Sequence, residues 1–325
     1  MSSFPRPRRL RGTGAIRNLV AETGFSPAQL ILPAFVREGI TEPVPIKSMP
    51  GVSQHTLESL LEEAEGLLRS GVNTILLFGV TDEKDIDGSL ACKQGFILQR
   101  AITALKRSFG DELTIMSDLC LDEYTTHGHC GVLDNLGRVD NDKTLLRYQK
   151  LALSLAEASV DFVAPSGMMD HQVAAIREAL DGEGWVDTGI LAYSAKYASA
   201  LYGPFRDAVE VEIAGGGDRK AYQQDYRNRR EALREIELDL AEGADMIMVK
   251  PASLYLDIIA AASEISDRPV AAYQVSGEYS MIACAAAAGY LDRSAVALES
   301  LTAIFRAGAD LVLTYFAKEV KGWLE

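Results

Sequence analysis

Cysteine is scarce in this chain. There are four in 325 residues, Cys92, Cys120, Cys130 and Cys284. They are too few and too scattered for a disulfide framework, so stability must come from an apolar core, and a reducing, cytoplasmic setting is expected. Positive charge is also in short supply. Lysine and arginine total 32 against 46 acidic residues, a net −14, which argues against nucleic acid as the main partner. No apolar run approaches the roughly 20 residues needed to cross a bilayer. The N-terminus is Arg-rich without an apolar centre, which excludes a secretory signal. No G-x-G-x-x-G follows any apolar run, so the dinucleotide fingerprint is missing too. What the chain does have is apolar mass. At 48% hydrophobic it can fill one large α/β barrel or two smaller domains.

The pattern along the chain decides between those two. Residues 1–29 form a basic leader, with Arg6, Arg8, Arg9, Arg11 and Arg17 all preceding the first acid, Glu22. On an acidic protein this reads either as a solvated tail or as an arm that docks on the acidic surface of a neighbouring subunit. Ile16, Leu19 and Val20 have helical spacing, which favours the arm. From Leu30 onward, short apolar runs alternate with segments of helical periodicity. The strands are expected at 30–36, 74–80, 114–121, 162–165, 190–195, 246–249, 269–275 and 311–315. A helix follows each, including one at 142–158 with Asp142 as its expected N-cap. Eight such units predict a (β/α)8 TIM barrel over residues 30–325, with the N-terminal extended arm before it. A doubly wound open sheet is the alternative, and it lacks its nucleotide signature. A Gly-containing insertion at about 197–225 interrupts the rhythm and is a candidate lid.

In such a barrel the C-terminal strand ends share one face, where chemistry is done. Two of those ends carry amines, Lys196 and Lys250. An ammonium is seldom placed at the end of a buried strand unless it is paired, solvated or used. A neutral lysine attacks carbonyl carbon to form a Schiff base, and burial beside a second amine favours the neutral form. The competing reading is one structural ion pair per lysine. Two lysines on adjacent strands favour catalysis. Other strand ends deliver Asp118, Cys120, Ser166, Gln274, Ser276 and Tyr315. In the insertion, Arg206 and Arg219 could clamp a carboxylate. Cys120, Asp122 and Cys130 could offer two thiolates and a carboxylate to zinc, although buried cysteines are more often only packed. In the helix around Glu235 the charges read as a solvated face.

Several runs together carry a close resemblance to the delta-aminolevulinic acid dehydratase family. They are Arg6-Pro-Arg-Arg-Leu-Arg11, Thr125-Thr-His-Gly-His-Cys-Gly131, Ala164-Pro-Ser-Gly-Met-Met-Asp170, Tyr202-Gly-Pro-Phe-Arg206, Met248-Val-Lys-Pro-Ala252 and Tyr273-Gln-Val-Ser-Gly-Glu-Tyr279. The resemblance spans nearly the whole chain. It implies a lyase that condenses two 5-aminolevulinate molecules to porphobilinogen in tetrapyrrole synthesis. The alternative is a single-lysine aldolase on the same barrel, which would usually need a phosphate site.

By the same resemblance, Lys196 and Lys250 are the Schiff-base lysines, with Asp118 and Ser166 in the polar network around them. Arg206, Arg219 and Gln223 bind one substrate, and Ser276 and Tyr315 the carboxylate of the other. Glu235 matches a glutamate that supports an allosteric magnesium. The family is usually a homo-octamer held by N-terminal arms. Two departures stand out. Asp122 occupies the middle position where zinc-dependent members carry a third cysteine, so zinc at Cys120, Asp122 and Cys130 is expected to be weak or absent. Gly167 stands where many relatives carry Asp.

Overall fold

Strands that are apolar on both faces need cover on both sides, and a parallel ring surrounded by helices provides it. The computed structural model describes residues 4–324 and has this form. Eight strands make the ring: β1 (Leu30–Arg37), β2 (Thr74–Val80), β3 (Thr114–Leu119), β4 (Phe162–Pro165), β5 (Gly189–Lys196), β6 (Met246–Lys250), β7 (Val270–Tyr273) and β8 (Leu311–Leu313). Each pairs in parallel with its sequence neighbours. β8 returns to β1 through Leu30 opposite Val312 and Ile31 opposite Leu313, so the ring closes. The expected barrel is the observed one. The strands are somewhat shorter than expected at β3, β7 and β8.

The helices form for local reasons. Leu57–Arg69 buries Leu60, Ala64 and Leu67 along one face. Thr56 and Ser59 cap it reciprocally, each side chain accepting from the other's backbone N–H at 3.1 and 3.0 Å. The helix expected to start at Asp142 begins one residue earlier, at Asn141, and its N-cap is Asp140, whose carboxylate accepts from Lys143 N at 3.1 Å. Asp142 sits in the first turn, where its charge complements the helix dipole instead.

Two features fell outside the sequence pattern. Val44–Pro45 and Ser53–His55 form a small antiparallel pair against the end of β1. The insertion is largely ordered, with a helix at Gly203–Val209. Arg37, at the end of β1, holds Glu210, the C-cap of that helix, by an ion pair and reaches Asp82 at 3.1 Å. The leader has a 3-10 turn at Pro7–Arg11 and a helix at Gly14–Leu19 that includes Ile16 and Leu19. Neither buries a residue in this chain, and Phe4 and Leu19 are 78% and 83% exposed. No helix among the described residues is long and apolar enough to cross a membrane.

Candidate active site

β5 and β6 end together. Lys196 lies directly opposite Lys250, and both side chains enter one cavity of about 350 Å³. Both lysines are buried. Lys196 Nζ donates to the carbonyl of Ser166, at the end of β4. Ser166 Oγ donates to Asp118 Oδ2 at 3.1 Å, while Asp118 Oδ1 has no partner. Lys250 Nζ makes no such bond among the described residues and stands instead among rings. It is 4.3 Å from the Tyr273 centroid, 4.9 Å from Tyr193 and 5.2 Å from Phe205.

The electrostatics follow from this enclosure. Burial, and then the neighbouring Lys196, lower the Lys250 amine to about 7. Burial raises the Asp118 carboxyl to about 6, against the pull of the two lysines. One amine that titrates near pH 7 and one carboxyl that titrates just below it share a buried mouth. That is the equipment for attack on a carbonyl and for moving the protons that follow.

The thiols sit beside this pair. Ligand atoms of Cys120, Asp122 and Cys130 lie within 4.8 Å of one another, all buried. Burial pushes the Cys120 thiol up. A hydrogen bond from Cys120 holds Cys130 below its usual value. Burial alone would raise Asp122, but Arg219 and then Lys196 hold its carboxyl well below the carboxylate range. Arg219 meets Asp122 at 2.7 Å and donates to Gly128 O at 2.9 Å. Tyr148, from the helix Asn141–Glu157, donates to Cys130 O at 2.8 Å and fixes that loop.

The family model for delta-aminolevulinic acid dehydratase matches residues 4–323. The chain belongs to this family. A delta-aminolevulinic acid dehydratase from Mycobacterium tuberculosis is 57% identical over 328 residues, covering 100% of this chain and 99% of the relative. One from Streptomyces coelicolor is 59% identical over 322 residues, covering 98% and 97%. The crystal structure of the Toxoplasma gondii enzyme in complex with the product porphobilinogen superposes with a TM-score of 0.96 at 47% identity, covering 99% of this chain and 92% of that one. The activity is that of the family, a porphobilinogen synthase, which is a lyase.

With the family established, the candidate residues can be placed. Lys196, Lys250, Asp118, Ser166, Arg206, Arg219, Gln223 and Asp122 all line the one cavity. Gln223 Nε2 is buried and unpartnered. Ser276 and Tyr315 do not line it. Ser276 Oγ bonds Leu201 O at 3.4 Å, and the Tyr315 hydroxyl bonds that of Tyr273 at 3.1 Å, so Tyr315 meets Lys250 only through Tyr273. Glu235 lines an adjoining cleft with Asp170 and Glu231, and Gln223 lines both. Sequence reasoning missed Tyr193, Tyr273 and Tyr148. The first two sit in strands, where an aromatic reads as core. The third lies on a buried helix face.

Gly167 has a physical reason. A Cβ there would stand 1.8 Å from the Tyr148 hydroxyl, so Tyr148 fills the space an Asp would need. Gly167→Ala should therefore displace Tyr148, free the Cys130 loop and lower both kcat and the urea midpoint. Replacing Tyr148 by a smaller residue in the same chain should recover part of the midpoint. An unchanged midpoint in Gly167→Ala alone would refute the contact.

Proposed function

We propose that this cavity condenses two 5-aminolevulinate molecules to porphobilinogen through Schiff bases at Lys250 and Lys196. The observation that carries the reading is the pair of amines, buried in register in one mouth, with one of them titrating near pH 7. The neutral amine's lone pair attacks a substrate ketone carbon. The resulting carbinolamine loses its oxygen as water, and the C=N bond forms. Asp118 is placed to supply and take back the protons, since its carboxyl titrates near 6 beside both amines. Arg206 faces the cavity and suits a substrate carboxylate. Arg219 is already paired with Asp122, so it would serve a carboxylate by sharing or exchanging that partner. Gln223 offers its unpartnered amide N–H. Ser276, bonded to Leu201 O, and Tyr315, bonded to Tyr273, are assigned to the second carboxylate on the resemblance. A single-lysine aldolase leaves the second buried amine without a purpose.

The donors Cys120, Asp122 and Cys130 converge closely enough to hold a zinc ion, and such an ion would supply a Lewis acid for a carbonyl or hydroxyl oxygen. The Arg219 guanidinium already neutralises Asp122, which supports weak zinc here. Magnesium prefers oxygen donors and is assigned to the adjoining cleft at Glu235, whose carboxyl is raised by burial and then by Asp170 and Glu231. The leader's exposed apolar and basic side chains suit a neighbouring subunit in a homo-octamer. A cytoplasmic enzyme fits the free cysteines.

Three measurements test these assignments. Borohydride with 5-aminolevulinate should add covalent mass to the wild type, and Lys250→Ala should lose at least about a thousandfold in kcat. The wild-type kcat/KM should rise with pH through an acid limb near 7, because the amine reacts only once its proton is lost. Near-normal turnover of Lys250→Ala, or a flat profile from pH 6 to 8, would sink the mechanism.

Deleting residues 1–20 should reduce the sedimenting mass, and an unchanged assembly would refute the arm. Asp122→Cys should raise zinc affinity as read by a competing chromophoric chelator. Stoichiometric zinc surviving dialysis in the unaltered protein would contradict a weak site.

A further inference from the structure

Regular strand pairing does not bring Lys196 beside Lys250. At the start of β5, Leu191 lies opposite Met246 and Ala192 opposite Ile247. At its end, Ala195 lies opposite Val249 and Lys196 opposite Lys250. In between, Tyr193 and Ser194 together stand opposite Met248, a bulge that slips the pairing by one residue. Had the first register continued, Lys250 would face Ala195. Lys196 would then fall on the other face of the sheet, since sides alternate along a strand. Tyr193, in the bulge, stands beside both amines, its ring 5.5 Å from Lys196 Nζ and 4.9 Å from Lys250 Nζ.

A bulge leaves backbone groups without ladder partners, and something else must hold them. On one edge of β5 the neighbour is β6, where Tyr197 N donates to Lys250 O at 2.9 Å. On the other edge β4 pairs only with Gly189 and Ile190, before the bulge begins. Gln224, from the end of the insertion, occupies that open edge. Its N donates to Lys196 O at 3.1 Å, and its O accepts from Ala198 N at 2.8 Å, a parallel bridge opposite Tyr197. Its side-chain Nε2 reaches back to Ser194 O at 3.4 Å, inside the bulge. One residue thus holds the carbonyl of the slipped step and the carbonyl of Lys196.

Stability alone does not account for this side chain. Gln224 is buried, yet its Oε1 has no partner among the described residues. A buried amide oxygen left unpaired is a cost that an apolar side chain of the same size would avoid. The chain just before it shows what it connects. Gln223 lines the cavity of the two lysines, and Gln223 N donates to Arg219 O at 2.8 Å. Arg219 in turn meets Asp122 at 2.7 Å. The end of the insertion and the end of β5 are therefore joined at Lys196.

We propose that Gln224 is a positioning residue for the condensation: it closes the open edge of β5 across the bulge and so keeps Lys196 on the same face as Lys250. Gln224 acts through the backbone of β5 and not on the amines themselves. The inference rests on the reading of the two lysines as the reacting amines.

The test uses full-length protein carrying Gln224→Leu or Gln224→Glu, beside the wild type. Leucine keeps the bulk and loses the amide. An ionised glutamate keeps the length but turns an acceptor toward the Ser194 carbonyl. Both variants should keep KM within about threefold, because Arg206 and Arg219 remain, and lose roughly ten- to a hundredfold in kcat, the scale of a misplaced reacting group. Borohydride with 5-aminolevulinate, read by peptide mass, should trap roughly tenfold less substrate at Lys196, measured against Lys250, than in the wild type. Should Gln224→Glu fail to fold, Gln224→Ala gives the same readings without a new charge. Wild-type kcat with an unchanged partition between the lysines in both Gln224→Leu and Gln224→Ala overturns the inference and leaves the two-lysine mechanism standing. An equal loss of trapping at both lysines marks general loosening and overturns it as well. A wild type that traps substrate at neither lysine overturns the mechanism and the inference together.

Discussion

Two ammonium ions cannot share a dry, narrow mouth, and much of this structure follows from that. Removing both lysines from water costs each its hydration, and bringing them side by side adds repulsion. Lys250 gives way, its amine lowered by burial and then by Lys196. The surroundings divide the work. Lys196 keeps a hydrogen-bond acceptor in Ser166 O, whereas Lys250 is left among aromatic faces. Ring faces favour a cation modestly, and here they yield to desolvation and to the second amine. Asp118 is the counterweight, and the enclosure that lowers the Lys250 amine also raises this carboxyl.

The same economy of charge shapes the thiol corner. Asp122 is ionised beside two cysteines because Arg219 lies 2.7 Å away. A guanidinium brings fixed positive charge without demanding a particular coordination geometry. Tyr148 completes the corner by tying the Cys130 carbonyl to the neighbouring helix, and so excludes any side chain at Gly167.

The barrel was legible in the sequence because its signal is periodic and repeated. Each apolar run and each helical stripe pointed to the same ring, and Lys196 and Lys250 announced themselves as charges at the ends of buried strands. Arg206 and Gln223 could be assigned to the cavity through motif resemblance, and the cavity does include them. What stayed illegible was register and orientation. Nothing in Gly189–Lys196 marks Tyr193 and Ser194 as an extra step, since a strand buried on both faces has no polar alternation to betray the slip. For the same reason Tyr193 and Tyr273 read as core filling. Ser276 and Tyr315 were assigned to the mouth from their strand ends, and their hydroxyls bond Leu201 O and the Tyr273 hydroxyl. The N-cap at Asp140 was misjudged by two residues because three polar side chains in a row, Asp140, Asn141 and Asp142, can all cap a helix.

The bulge in β5 also bears on how such a site could arise or be lost. A barrel strand with uniform pairing can present a lysine at its mouth, but only on the face its parity allows. One extra residue of backbone changes that parity from the bulge onward while leaving the strand upstream in place. A single-codon deletion at Ser194 would thus preserve every reacting side chain and still turn one of them out of the cavity. Among barrels that carry one lysine at such a position, a single-codon insertion could recruit a second. Chain length within a strand, and not only the identity of its residues, is then a heritable determinant of whether the chemistry uses one amine or two.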